Sequence, residues 1–298
     1  MANNIVLIVG MGFGNAVYRP IYQELGFNIV TVDLYKDADF NSLDAAIKAH
    51  KLFNVVHICT PNYTHEELTR AVAPYAEIVF VEKPGVANHT DWAKLVKDHI
   101  DTTRIVMVKN NQYREEIDRF KNLLEESKSV KLNWTNQNRI PNPGSWFTTK
   151  ELAFGGVSRD LIPHMLSYFT TMTNYFDSNK LHVIAEQRYT LEQITNTDYG
   201  IVDPNGIFDV DDYCSFKFVD DKGTDWDIVA SWKNDQLDDS SLTFILKSGG
   251  VVKIKLGLCP ESAYKSMIVS ALDNKGNDKF WKEQYEQDMW IHRQVEKI

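Results

Sequence analysis

The sequence predicts an α/β chain in two domains: a doubly wound parallel sheet over residues 1–110, then an α+β domain over 111–298 with a mostly antiparallel, open sheet. Two patterns and a length predict this. Before residue 110, short β-branched runs alternate with helical-period segments, which indicates βαβ units. After it, alternating strands are joined by hairpin turns. The chain has 298 residues, enough for two domains at roughly 150 residues each.

In the first domain, apolar runs at 5–9, 28–32, 55–58, 78–81 and 104–108 read as strands. Helical periods occupy about 14–25, 42–51, 64–75 and 89–99. Runs apolar on both faces suit strands covered by helices on both sides, and right-handed crossovers then wind the sheet doubly. In the second domain, 115–126 reads as one amphipathic helix, 130–137 as an extended stretch and 138–145 as a loop rich in Pro, Asn and Gly. A helix is expected around 158–174. Segments 180–189, 212–219, 225–232, 242–248 and 251–256 alternate, with turn signals at Asp221-Lys222-Gly223 and Ser248-Gly249-Gly250. From Lys279 onward the chain reads as a charged, aromatic-bearing helix.

Composition narrows the partners. Hydrophobic residues make up 43%, enough for real cores. With 32 basic and 41 acidic side chains the net charge is −9, so the electrostatic footprint of a nucleic-acid binder is missing, as is attraction to anionic membranes. No apolar run is long enough to span a bilayer. Residues 1–4 lack a basic region, and 5–9 is too short for a signal-peptide core. Cys59, Cys214 and Cys259 follow neither a metal-ligand nor a disulfide spacing, which fits a reducing cytoplasm. No His/Cys/carboxylate cluster reads as a metal site.

The first strand runs into Gly10-Met11-Gly12-Phe13-Gly14-Asn15. Gly10 allows a tight turn, and Gly12 lets the backbone approach a pyrophosphate resting on the N-terminus of the next helix. The third glycine of a dinucleotide fingerprint falls at Asn15, with Gly14 one place earlier. Asp33 ends the second strand, where a carboxylate accepts hydrogen bonds from adenosine ribose and repels a 2′-phosphate. This is a Rossmann arrangement that favours NAD over NADP. After the third strand comes Thr60-Pro61-Asn62-Tyr63-Thr64-His65, at the carboxyl end of the sheet where ligands bind; Thr60 and Asn62 are equally suited to capping the next helix. The fourth strand ends in Glu82-Lys83-Pro84, with a lysine beside the cofactor crevice.

Taken together, Gly10-x-Gly12, Thr60-Pro61-Asn62-x-x-His65 and Glu82-Lys83-Pro84 resemble the glucose–fructose oxidoreductase/inositol dehydrogenase (Gfo/Idh/MocA) family. That family has a second signature, Gly-Gly followed by an Asp and a His four residues later. Gly155-Gly156, Asp160 and His164 match it. Residues i and i+4 share one helix face, so Asp160 and His164 are expected to point together into a cleft facing Lys83. The resemblance implies cofactor contacts from Gly10, Gly12, Phe13, Gly14, Asn15, Asp33, Thr60, Pro61, Asn62, His65, Glu82 and Lys83. It implies that His164 is the acid/base, that Lys83 hydrogen-bonds the reacting oxygen, and that Asp160 holds a substrate hydroxyl or orients the site.

Three departures stand out: Asn15, Pro163 immediately before His164, and Asn110-Asn111-Gln112-Tyr113 where many relatives carry an Arg–aromatic pair. Pro163 implies that the helix begins near it or that His164 is displaced. Further substrate-side candidates are Gln112, Trp146 and Arg159. Trp146 could stack on a sugar face or cover its loop, and Arg159 could meet an acidic substrate group or form an ion pair. The expected protein is an NAD-dependent dehydrogenase or reductase acting on CH–OH of a sugar, sugar derivative or cyclitol, and a homo-oligomer (dimer or tetramer). Alternatives on the same scaffold are reduction of another unsaturated bond, redox-assisted glycoside cleavage, or an NAD-binding regulator. A regulator has no need of the Lys83, Asp160 and His164 set.

Overall fold

The computed structural model describes residues 4–173 and 181–298. It divides into two compact units: Met1–Asn110 with Glu261–His292, and Asn111–Pro260 with Arg293–Ile298. Among the described residues, no helix is long and apolar enough to cross a membrane.

The first unit holds a five-stranded, all-parallel sheet of β1 (Ile5–Val9), β2 (Asn28–Val32), β3 (Phe53–Ile58), β4 (Ala76–Val81) and β5 (Arg104–Met107), in the order β2-β1-β3-β4-β5. Val6, Leu7, Ile8, Val55, Val56, Ile78 and Val79 have no exposed surface, as expected of strands covered on both faces. The crossovers are α1 (Arg19–Glu24), α2 (Leu43–His50), α3 (His65–Val72) and α4 (His89–His99). Ser42 and Asn88 cap α2 and α4, their side-chain oxygens accepting from Ala45 and Asp91 N–H. The chain leaves β1 toward β2 and then crosses to β3 on the other side of β1. A crevice therefore opens at the carboxyl ends of β1 and β3, where such sheets bind ligands.

The second unit contains α5 (Ile117–Glu125), β6 (Ser127–Thr135), the single turns α6 (Lys150–Ala153) and α7 (Val157–Asp160), α8 (Ile162–Met172), β7 (His182–Glu186), β8 (Tyr213–Val219), β9 (Asp225–Ser231), β10 (Asp239–Leu246) and β11 (Val251–Lys255). Its sheet runs β11-β10-β6-β9-β8-β7, antiparallel except for the β6–β9 pair. One face buries Val130, Leu132, Phe216, Trp226, Ile228, Leu242 and Phe244, together with Phe120 of α5 and Phe169 of α8. The expected helix over 158–174 is two pieces, because Pro163 lacks an N–H and sits in the first turn of α8. Residue 174 of that span and residue 180 of the expected strand lie outside the described residues.

Two helices close the chain, α9 (Glu261–Asp273) and α10 (Asp278–Val295). Residues 261–292 belong to the first unit. Lys265 pairs with Glu24 at 2.5 Å, Lys275 with Glu77 at 2.5 Å, and Asp278 with Arg104 at 2.6 Å.

Candidate functional site

The glycine turn after β1 is built by close approach. Gly10 has φ +97°, and a Cβ there would lie 2.5 Å from the Cys59 carbonyl oxygen. A Cβ on Gly14 would lie 2.6 Å from Ile8 Cγ2, so Gly14 performs the close helix–strand packing that the fingerprint assigns to its third glycine. The helix opens with a π turn, Gly14–Tyr18, which absorbs the one-residue displacement. Asn15 is exposed and accepts from Arg19 Nη1 at 3.1 Å. Phe13 packs edge-on to Tyr18. Beside Gly12 the nearest group is Lys36 Nζ, 3.3 Å from where a Cβ would stand. The turn thus leaves room for a ligand backed by backbone and an ammonium.

Asp33 stands at the same rim. Its carboxylate accepts from Met11 N–H at 2.7 Å, Tyr35 N–H at 2.8 Å and Lys36 N–H at 2.9 Å. Burial raises its pKa, but those three donors and the Lys36 charge outweigh it and hold the carboxyl below its ordinary value. The turn, the pre-ionised acid and the opening beside Gly12 fit a dinucleotide with free ribose hydroxyls.

Glu82 N–H donates to the Ile58 carbonyl at 3.0 Å and continues the β3–β4 ladder one residue past β4, so Lys83 leaves the sheet at its carboxyl edge. The Lys83–Pro84 peptide is cis, and Gly85 N–H donates to the Glu82 carbonyl at 2.9 Å. Tyr18 donates its hydroxyl to Glu82 at 2.5 Å. Burial raises the Glu82 pKa against the pull of Tyr18 and Lys83. The residues that precede the turn after Pro61 and α3, Pro61 and Thr64, make no side-chain cap, and Thr64 Oγ1 bonds Thr60 Oγ1 at 2.6 Å and the Pro61 carbonyl at 2.7 Å. His65 is fully buried, its ring nitrogens 2.8 Å from the Gly85 and Thr60 carbonyl oxygens. Burial, together with the Lys83 charge, lowers its pKa, while the two carbonyls oppose the shift.

In the second unit, Asp160 and His164 are the two half-exposed positions in an otherwise buried run from 155 to 170. Asp160 accepts from Trp232 Nε1–H at 2.9 Å. The His164 ring lies over Trp134, with centroids 5.9 Å apart and planes 35° apart. Asp211 fixes the entrance to this segment. Its carboxylate accepts from Gly156 N–H at 2.9 Å, Ser158 N–H at 2.8 Å and Ser158 Oγ at 2.8 Å, and its carbonyl accepts from Val157 N–H at 2.8 Å. Gly156 is required because a Cβ there would overlap the Asp211 carbonyl oxygen. The break at Leu161 keeps helical dihedrals, so the Asp160-to-His164 spacing survives Pro163.

The remaining sequence candidates have neighbours within the same unit. Gln112 Nε2 donates to Thr170 Oγ1 at 2.9 Å. Trp146 stacks on Phe147 with centroids 3.9 Å apart. Arg159 is buried with Nη1 lacking a hydrogen bond; burial lowers its pKa, and Glu296 and Asp211 are the acids that oppose this. Trp134, Trp232, Asp211 and Lys36 were not singled out from the sequence. None belongs to a motif; Trp134 lay in the extended stretch 130–137 and Trp232 ended the alternating segment 225–232, which gave them a place in a strand but no role.

Residues 6–110 match the profile of an oxidoreductase family with an NAD-binding Rossmann fold, GFO_IDH_MocA. Over 275 residues the chain is 24% identical to an Amycolatopsis mediterranei protein described as a candidate UDP-kanosamine synthase oxidoreductase subunit, covering 83% of this chain and 74% of the relative. Among solved structures, GenD2 from gentamicin A biosynthesis, in complex with NAD, superposes with a TM-score of 0.78 at 18% identity, covering 99% and 93% of the two chains. Levoglucosan dehydrogenase with NADH and levoglucosan gives 0.71 at 16% identity over 99% and 98%. A Corynebacterium glutamicum myo-inositol dehydrogenase gives 0.71 at 13% over 97% and 94%. At these identities the superpositions speak to the fold.

Proposed function

Because residues 6–110 belong to the Gfo/Idh/MocA oxidoreductases and form their NAD-binding Rossmann domain, we propose that the chain is a dehydrogenase or reductase acting on a CH–OH or carbonyl carbon of a sugar, sugar derivative or cyclitol. The observation that carries the reading is the exposure pattern of α7 and α8: of the buried run from 155 to 170, only Asp160 and His164 are partly exposed, one helical turn apart.

The cofactor is held by Gly10, Gly12, Phe13, Gly14, Asn15 and Asp33, with Thr60, Pro61, Asn62 and Glu82 at the neighbouring strand ends, and Asp33 disfavours NADP. Bound NAD supplies the two-electron chemistry by taking or returning a hydride. His164 takes the proton of the reacting hydroxyl during oxidation and returns it during reduction, a task suited to an imidazole near neutral pH. Lys83 donates a hydrogen bond to the reacting oxygen and stabilises its developing negative charge. Asp160, oriented by Trp232, accepts a hydrogen bond from a neighbouring substrate hydroxyl. Gln112, Trp146 and Arg159 are the further candidates for substrate contact.

The substrate class draws on the levoglucosan and myo-inositol dehydrogenases and on the sugar nucleotide named for the curated relative. A panel of sugars, polyols, cyclitols and sugar nucleotides with NAD tests it. NADH formation with a product two hydrogens lighter is expected. Cleavage or reduction of another bond would replace the CH–OH assignment. A homo-oligomer, dimer or tetramer, is proposed through the polar face of the second sheet, where Lys131, Asp227 and Lys217 stand in one cross-strand row. Sedimentation that finds only monomer at micromolar concentration would remove that proposal. The cysteine usage suits a cytoplasmic enzyme.

A further inference from the structure

Lys83 lies in a turn that the sheet itself does not hold, since β4 ends at Val81. Two buried imidazoles grip the turn just beyond it. His65, the first residue of α3, has Nδ1 2.8 Å from the Gly85 carbonyl oxygen and Nε2 2.8 Å from that of Thr60, so the ring stands between the ends of β3 and β4 and, when neutral, donates its one N–H to one of these two carbonyls. His292 of α10 also lies against Gly85: a Cβ on that residue would come 2.6 Å from its Nε2. Val86 N–H donates to the same Nε2 at 3.4 Å. Nε2 therefore accepts, the proton sits on Nδ1, and Nδ1–H donates to the Asp288 carbonyl at 2.8 Å. The ring also stacks on Trp92, with centroids 5.0 Å apart and planes 21° apart. Asp288 anchors α10 beneath the sheet edge by accepting from Met107 N–H at 3.0 Å and pairing with the buried Lys109.

We propose that His65 and His292 are positioning residues for Lys83. They act through Gly85 and Val86, and the C-terminal helix is the backing of the lysine turn. The inference rests on the reading of Lys83 as a group that acts on the reacting oxygen. A core histidine also needs partners for its ring nitrogens, and what sets these two apart is that theirs include Gly85 and Val86, the two residues that follow Lys83-Pro84. Here every polar atom of both rings is directed at backbone of the strand-end turns or of α10 itself.

The test uses the full chain and needs no identified substrate. Amide hydrogen exchange reports the Val86 bond, and acetylation of Lys83 by an N-hydroxysuccinimide ester, rated against Lys97 on α4, reports how the ammonium is held. In the wild type, Val86 N–H should exchange with the slowest amides of the first unit. Exchange as fast as that of an exposed loop would overturn the proposal without any variant. His292→Leu keeps bulk against Trp92 and removes both bonds. It should speed Val86 exchange by about tenfold or more and change the Lys83-to-Lys97 labelling ratio at least about threefold, with NADH affinity within about twofold. His292→Gln, whose Oε1 reaches about as far as the imidazole Nε2 and can accept from Val86 N–H, should restore both. Removing His65 as His65→Leu should shift the labelling ratio in the same direction. Unchanged labelling in folded His292→Leu and His65→Leu would refute positioning. Lys83→Ala is the separate control: if it leaves turnover intact, the role of Lys83 falls while the exchange result stands.

Discussion

In the proposed function Asp33 carries the choice of cofactor. Three backbone N–H groups keep the carboxylate ionised at the rim of the glycine turn. Asp33→Ala should lower the preference for NAD over NADP by about tenfold, the loss of one good hydrogen bond to a charged acceptor together with relief of repulsion. Fluorescence titrations with NADH and NADPH check this, and an unchanged ratio would mean that the acid does not meet the ribose. His57 makes a pH prediction. It is buried between Tyr18 and Phe80 with neither ring nitrogen hydrogen-bonded, and burial lowers its pKa to about 3. The unfolded imidazole titrates near ~6.5, so the unfolded chain binds the proton first as pH falls. The stability contributed by neutral His57 is complete above about pH 6.5 and is lost on descent toward the folded value, by at most about 1.4 kcal/mol per pH unit. In urea unfolding between pH 6 and 4, His57→Leu should show a shallower dependence; equal slopes would contradict this origin. At this scale the sequence revealed residues that sit in motifs, such as Asp33, Lys83, Asp160 and His164. It was silent about partners such as Trp232, Asp211 and His292, because a hydrogen bond between distant positions leaves no periodic trace.

Among the elements, the segment from Gly155 to Met172 shows what spacing tells and what it does not. The i, i+4 relation put Asp160 and His164 on one face, and Pro163 marked the start of α8. What orders the segment is the Asp211 carboxylate, which accepts three hydrogen bonds at its entrance. Asp211→Ala should lower kcat at least about tenfold while leaving NADH affinity within about twofold, because the first unit makes the cofactor site. Steady-state kinetics with NADH titration checks the split, and equal losses in both would point to general unfolding. The glycine turn is the complementary case. Pattern matching expected a glycine at 15, whereas the π turn shifts the close contact to Gly14. A template with fixed spacing cannot anticipate a widened helical turn.

For the whole molecule, both sheet types and the hairpins β8–β9 and β10–β11 were legible, since burial on two faces and burial on one face write different alternations, whereas the parallel β6–β9 pair inside the second sheet was not. The return of residues 261–292 to the first unit was not. An amphipathic helix announces that one face is covered, not by what. That return places Asp288 against Lys109 in a buried pair, where burial raises the acid and lowers the base while each partner opposes the other's shift. Asp288→Ala should destabilise the first unit by about 3–5 kcal/mol through the uncompensated ammonium, and Asp288→Leu with Lys109→Met should recover most of it. Urea midpoints decide, and a single variant no worse than the double would contradict a paired charge. The central proposal is that His164 as proton carrier and Lys83 as cation serve the same oxidation. The most direct measurement is NADH production by wild type, Lys83→Ala and His164→Ala with whichever compound the wild type oxidises, beside NADH binding by each. Loss of turnover by at least about a hundredfold in both variants, with cofactor affinity retained, is the predicted result; near-normal turnover in either variant would contradict it.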